Sequence, residues 1–391
     1  MPKSAPTIAP PPVVVLGAGV IGLTTAVLLQ AAGYHVTVLA SHTIESYPDD
    51  AVLYASPKAG AHWRSTARAD DKQMQGIDLA SLLAFRRLLK VKEAGVLPML
   101  SVDVYTHKDE PEPWFKKEVP EYGILAPEHL PPAAVFGFKY TTMSFNSPKY
   151  LAWLARVFRR LGGKVVHKKV PHIDDAFHLV RDPHTVVVNC TGLGAMTLGG
   201  VEDKDVYPTR GQTVIVRAPQ VKYTISRFGT DGTFDYVIPR DDGLVVLGGT
   251  YQENQSSMIP DRQTADRIVR NATTICPQLQ TYPGQPLEVV AHAVGLRPTR
   301  RGGIRLEHEW RRPAKSEGAA FRPAYLAVHN YGHGGGGYQS SWGSAQKVLE
   351  LVTAQAANPE GVGKTVRVSG IRTYDVALRR VTAVGSIKSR L

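Results

Sequence analysis

Gly17-x-Gly19-x-x-Gly22 is the first spacing along the chain that can do chemistry. Glycines so placed let the backbone approach a pyrophosphate, whose charge then rests on the positive end of the following helix. The pattern is informative only between a strand and a helix, and that context is present. Val13 to Leu16 is a β-branched run that reads as a buried strand, Val20 to Ala32 as a helix stopped by Gly33, and His35 to Leu39 as the next strand. The acid that usually meets the ribose is missing, because the second strand ends Leu39-Ala40-Ser41-His42. The ribose contact therefore falls to Ser41, His42 or backbone, or else the loop serves another ligand. Pattern alone does not choose between NAD(P) and FAD.

Other spacings carry less. Gly361-Val-Gly363-Lys364-Thr365 imitates the end of a phosphate-binding P-loop, but Asn358 stands where its first glycine belongs. His329 and His333 are four apart yet flank a glycine-rich turn, not a helix that would aim both at one ion, so no metal site is expected. Cys190 and Cys276 lack any CxxC spacing and fit a reducing compartment, with one bridge between them left open. Asn189, Asn254 and Asn271 begin sequons that mean little without a secretory signal.

The elements that must position the loop come next. The 391 residues suffice for two or three domains, and 43% hydrophobic against 20% charged is the balance of a chain that buries a core. The stretch from Met1 to Pro12 reads as a loose arm and not a signal peptide, and Gly17, Gly19 and Gly22 break the apolar run from Val13 to Leu29, so no membrane span is expected. The net charge of +12 is spread without a block of five cations, which reads as a solvated surface with no nucleic-acid partner. A helix from Pro148 to Leu161 and strands from Lys164 to His167 and Thr185 to Asn189 resume the α/β pattern. A strand from Tyr325 to His329 runs into the cluster Gly332 to Gly337 and a helix from about Tyr338 to Gln355. Alternation such as Thr213 to Val216 and Leu244 to Leu247 reads as a mostly antiparallel α+β unit. The expectation is an α/β chain with a discontinuous Rossmann-like nucleotide domain (1–50, 150–205 and 290–355), a second domain (51–149 and 206–289), a surface loop at 307–322 and a C-terminal tail at 356–391.

Gly17-Ala-Gly-Val-Ile-Gly22, Ser56-Pro-Lys-Ala-Gly-Ala-His-Trp63, Asn189-Cys-Thr-Gly192, Arg210-Gly-Gln212, Tyr236-Val-Ile-Pro239, Gly248-Gly-Thr-Tyr251, Gly295-Leu-Arg-Pro298 and Asn330-Tyr-Gly-His333 to Tyr338-Gln339 stand in one order over about residues 12 to 350. In that order and spacing the chain resembles the D-amino acid oxidases. It looks like their fungal branch, with Tyr236 paired with Tyr251 and a long loop from Glu307 to Arg322.

The resemblance implies non-covalent FAD. Its pyrophosphate would lie at Gly17, Gly19, Val20, Ile21 and Gly22, its ribose near Ser41 and His42, and its adenine near Val170, Cys190, Thr191 and Gly192. Ser56 opens the segment whose Ala59, Gly60 and Ala61 would meet the flavin ring, with Gly334, Gly335, Gly336, Gly337, Tyr338 and Gln339 at the ring's N1–C2 side. A glycine cluster opening a helix is what close approach to an anionic ring requires. Arg297 would hold a substrate carboxylate bidentately, with Tyr236 as a second donor and Tyr251 near the amine.

The reaction so implied is oxidative deamination of a neutral or apolar D-amino acid. Hydride passes from Cα to flavin N5, the imino acid is hydrolysed to 2-oxo acid and ammonia, and dioxygen reoxidises the flavin and is itself reduced to hydrogen peroxide. Side-chain preference would come from Tyr223 to Phe234, where Phe228 and Phe234 favour apolar substrates. Arg227, if turned inward, would instead make the chain behave as a D-aspartate oxidase, and an NAD(P)-dependent dehydrogenase on the same loop is the further alternative. The loop around Trp310, with Arg311, Arg312 and Lys315, would be the contact of a homodimer. Ser389-Arg390-Leu391 resembles the peroxisomal address and implies an import receptor and a peroxisomal location. The four glycines at Gly334 to Gly337 leave only backbone to act there.

Overall fold

A computed structural model describes residues 7–48, 51–108, 112–180, 182, 184–230, 232, 234–282, 284–312, 324–357, 367–368 and 372–386. The chain divides into two compact units, the first made of Met1–Leu53, Leu151–Tyr207 and Pro298–Leu391 and the second of Tyr54–Tyr150 and Pro208–Arg297.

The first unit is built on a six-stranded sheet in the order Arg305–Arg311, Tyr325–Tyr331, Val186–Asn189, Pro12–Leu16, His35–Ala40, Lys164–His167. All neighbours are parallel except the first pair. The central strands are apolar on both faces because helices cover both, which is why Val13 to Leu16 could be read as a continuous run and not an alternating one. Helix Val20–Ala32 is buried on nearly every side, lying against helices Gly337–Ala357 and Tyr374–Gly385, and ends at Gly33 with φ 113.

The second unit carries a nine-stranded sheet, ordered Gln252–Glu253, Val206–Arg217, Leu244–Gly248, Phe234–Pro239, Tyr223–Phe228, Val96–Tyr105, Phe136–Phe145, Gly123–Ile124, with Glu288–Arg300 pairing to Val206–Arg217. Tyr223–Phe228 and Val96–Tyr105 run parallel and the other mapped pairs are antiparallel. Helix Arg262–Ile275, capped by Asp261 accepting from the Thr264 amide, covers one face through Ala265, Ile268, Ala272 and Ile275 packed on Val214, Val216, Ile225, Val237, Val245 and Leu247. The other face carries Ser226, Phe228, Phe234, Tyr236, Ile238 and Val246, because side chains alternate along each strand.

Three expectations change. Residues 290–297 belong to the second unit, since the strand through them is held by pairing with Val206–Arg217. The segment from Glu307 to Arg311 is a strand and not loop, zipped onto Tyr325–Tyr331 from Arg305↔Tyr331 to Arg311↔Tyr325, while 313–323 lies outside the described residues. The C-terminal region contributes helix Tyr374–Gly385, whose buried Ala377, Leu378 and Val381 dock it in the first unit. Gly361, Gly363, Lys364 and Thr365, and Ser389, Arg390 and Leu391, lie outside the described residues.

Candidate active site

In the first unit the turn after Pro12–Leu16 is drawn tight by Gly17 N donating to Leu39 O at 2.8 Å and Cys190 N donating to Leu16 O at 2.9 Å. Gly17 has φ +102, and a Cβ there would stand 2.6 Å from the Cys190 carbonyl oxygen; at Gly22 a Cβ would stand 2.0 Å from that of Gly17. Only hydrogen fits at either position. Gly19 caps the helix without a side chain, and no acid stands in its first turn. Closest backbone approach and an uncontested positive helix end are together what a pyrophosphate needs, so FAD fits this cradle. Val20 is buried, Ile21 is half-buried, and Ser41 and His42 are half-buried just past the strand His35–Ala40.

Thr191 is fixed by Asn189, whose Oδ1 accepts from the Thr191 amide at 3.1 Å and from its hydroxyl at 2.7 Å. Asn189 lies 3.3 Å from His329 Nδ1, and His329 Nε2 lies 3.1 Å from Glu309. His329 thus has both ring nitrogens engaged by protein. Gly192, at φ 57, packs 3.5 Å (as Cβ) from Pro298. Val170 packs on the core around Ile173 and Phe177. Burial pushes the Cys190 thiol up to about 12 and raises that of Cys276; both cysteines are buried and free. Gly334–Gly336 forms a 3-10 turn leading into Gly337–Ala357, with Gly335 exposed and Tyr338 and Gln339 buried at the helix start. His333 precedes it, with Nε2 buried and without a partner among the described residues.

The second unit brings together Ala59, Gly60, Ala61 and Tyr236. Ala59 O accepts from Ser147 Oγ at 2.7 Å and from Arg240 Nη2 at 3.2 Å, and Ala61 O accepts from the Phe145 amide at 3.0 Å. Ser56 opens the 3-10 turn Ser56–Lys58 just before them. A Cβ on Gly60 would meet Ile238 at 3.1 Å and the Tyr236 ring at 3.4 Å, so this segment lies flat on the Tyr236 face. Tyr236 in turn lies on the backbone of the neighbouring strand, where a Cβ on Gly248 would stand 2.1 Å from its Cζ.

Arg297 donates from Nη1 to the Thr250 carbonyl at 3.0 Å, and its Cζ sits 5.5 Å from the centre of the Tyr251 ring, within cation–π range. Tyr236 is 6% exposed and Tyr251 52%, so the first is a fixed wall and the second a solvent-edge residue. Burial raises the Tyr236 hydroxyl pKa, opposed by the Arg297 cation beside it. The hydroxyl stays protonated and is a donor. The cluster of a cation, a buried hydroxyl and an exposed one can grip a carboxylate and leave the adjacent carbon oriented.

Arg227 is placed differently from the inward-turned alternative. It pairs in register with Asp235, one step from the Ser226↔Tyr236 pair, so it projects to the opposite face. There its Nη2 meets Asp235 Oδ2 at 2.6 Å, and Asp235 also accepts from Asn271 of the covering helix at 3.0 Å. Sequence reasoning quoted Gly211 only as part of Arg210-Gly-Gln212 and gave it no role; a Cβ there would stand 2.5 Å from Arg297 Nη1, so its hydrogen lets the guanidinium approach, and the readable signal was a glycine inside a strand.

The sequence profile of the FAD dependent oxidoreductase family matches residues 12–351. The chain is 35% identical over 365 residues to a D-amino-acid oxidase of Fusarium vanettenii, covering 87% of this chain and 96% of the relative. It is 33% identical over 395 residues to a D-aspartate oxidase of Cryptococcus neoformans var. grubii, covering 89% and 98%. Among solved structures, glycine oxidase from Bacillus cereus superposes with a TM-score of 0.66 at 18% identity, over 88% of this chain and 95% of that one, which shows a shared fold. The chain belongs to the FAD dependent oxidoreductase family. It is an oxidoreductase whose cofactor is FAD, which sets aside the NAD(P) alternative.

Proposed function

We propose that the protein oxidises neutral D-amino acids with apolar or aromatic side chains to 2-oxo acids, with release of ammonia and hydrogen peroxide. FAD, when bound, supplies the two-electron acceptor that dioxygen regenerates. Arg297 binds the substrate carboxylate with two N–H donors, and the protonated Tyr236 hydroxyl donates to the same group. Tyr251 stands at the amine side, open to solvent. Burial keeps the Tyr236 hydroxyl protonated, so the cluster positions the Cα–H and leaves the amine to lose its proton to water.

One observation carries the side-chain preference. On the Tyr236 face the rings of Tyr236, Phe234 and Phe228 follow one another at 5.1 and 5.0 Å, while Arg227 is turned away and paired with Asp235. The D-aspartate oxidase of Cryptococcus supports the acidic alternative. That alternative needs an uncompensated cation beside Tyr236, a place Arg227 does not take. The handedness is supported by the names of the relatives.

The test is peroxide release by the FAD-loaded protein on D-phenylalanine, D-methionine, D-alanine and D-aspartate, with L-forms as controls and Arg297→Ala alongside. Turnover of the neutral D-forms that collapses in the variant is expected; a D-aspartate preference would promote the alternative. We propose further that Ser389-Arg390-Leu391 directs peroxisomal import and that the region of Trp310, on an outer strand, is a dimer contact. Loss of organelle targeting on removing the tripeptide, and loss of the dimer on Trp310→Glu, are the corresponding checks.

A further inference from the structure

We propose that Arg64 and Asp103 form a masked carboxylate site at the end of the substrate face, and that Asp103 enforces the preference for uncharged side chains by neutralising Arg64. The proposal rests on the neutral-substrate reading above and names the residues that produce it.

Strand register places the pair. Ser226 is opposite Tyr236 on one side and Asp103 on the other, and Phe228 is opposite Phe234 and Tyr105, so all six share the face that holds Tyr236. Arg64 reaches over this face from outside the strands. Its Nε donates to Asp103 Oδ2 at 2.7 Å, its Nη2 to the Tyr105 hydroxyl at 3.0 Å, and its Cζ lies 4.3 Å above the Phe228 ring. The row from Tyr236 through Phe234 and Phe228 therefore ends on a guanidinium. Ser226, midway in register, has a buried Oγ with no partner among the described residues, a spare donor for an anionic group.

The two partners differ in exposure, and the difference decides what the pair does. The Asp103 side chain is 0% exposed and that of Arg64 16%, so the cation is the outer member and the acid lies behind it. A substrate carboxylate arriving at Arg64 meets a cation whose charge is already balanced at contact distance, and brings a second anion beside Asp103. An apolar side chain meets only the aromatic row. The same arrangement predicts opposite specificities when either partner is neutralised, which a merely structural ion pair does not.

The experiment measures kcat and KM of the FAD-loaded full chain for D-methionine, D-glutamate and D-lysine. Asp103→Asn keeps the shape and removes the mask, and the D-glutamate to D-methionine ratio of kcat/KM is expected to rise at least about tenfold, chiefly through KM, as one charge-assisted hydrogen bond allows. Adding Arg64→Gln to Asp103→Asn must abolish that gain. Arg64→Gln alone, a change at a partly exposed side chain, leaves the acid uncompensated, and the D-lysine to D-methionine ratio is expected to rise; this variant decides the matter if Asp103→Asn does not fold. Unchanged ratios in folded variants overturn the proposal while leaving the neutral-substrate reading intact. A wild-type enzyme that already prefers D-glutamate to D-methionine overturns that reading, and the mask with it.

Discussion

The Arg297 guanidinium lies directly on the backbone of Gly211: a Cβ at residue 211 would stand 2.5 Å from Nη1, 2.6 Å from Nη2 and 2.7 Å from Cζ. A β-strand rarely keeps a glycine without a reason, and here the reason is the approach of the guanidinium for which we propose a role in holding the substrate carboxylate. Gly211→Ala must push the guanidinium off the sheet. Since a misplacement of about 1 Å can cost about a hundredfold in rate, kcat/KM for a neutral D-amino acid should fall by roughly that factor. Arg297→Ala should cost more, about a thousandfold. Steady-state kinetics with thermal melting as a control checks both, and a normal kcat/KM in a folded Gly211→Ala would refute the link.

Gly22 offers a test of the cofactor cradle that does not pass through turnover. The 2.0 Å from its virtual Cβ to the Gly17 carbonyl cannot be relieved by rotating a side chain, because the obstacle is backbone. Gly22→Ala should therefore open the turn, raise the FAD dissociation constant by at least about tenfold and cost roughly 1–3 kcal/mol of stability. Flavin fluorescence on titrating the apoprotein reads the first effect and urea unfolding the second.

Acid should destabilise the protein through His333. Burial lowers its pKa from 6.5 to about 4, so as pH falls the unfolded chain takes up the proton first. The contribution is fully present above 6.5 and is lost progressively as pH drops toward about 4, a loss on the order of 3 kcal/mol. His333→Gln should flatten this limb of the stability curve when urea midpoints are compared across the window; an equally steep limb in the variant would assign it to other groups.

The thiols should be silent in the native state. Cys190 and Cys276 are buried and free, and burial holds both in the protonated form. A thiol reagent at mildly alkaline pH should label neither in the folded protein and both after denaturation. Rapid labelling of native protein would show that one of them is reached by solvent.

What was legible in the sequence is what depends on neighbours along the chain. The glycine spacing at Gly17, Gly19 and Gly22, the apolar run before it and the stop at Gly33 are local, because turn geometry, strand burial and helix termination are set within a few residues. Arg297 and Tyr236 were singled out only through family motifs, since neither an arginine nor a tyrosine in a strand declares a role. The strand at Arg305–Arg311 was hidden because its polar, charged residues pair on one edge only and carry no apolar alternation. Tertiary structure decided the rest. Arg227 and Ser226 are adjacent, yet strand register sends one to Asp235 under the covering helix and leaves the other beside Tyr236. Arg64 finds Asp103 across 39 positions, and the Gly211 hydrogen makes room for Arg297, because a sheet brings together by hydrogen-bond register residues that no spacing along the chain connects.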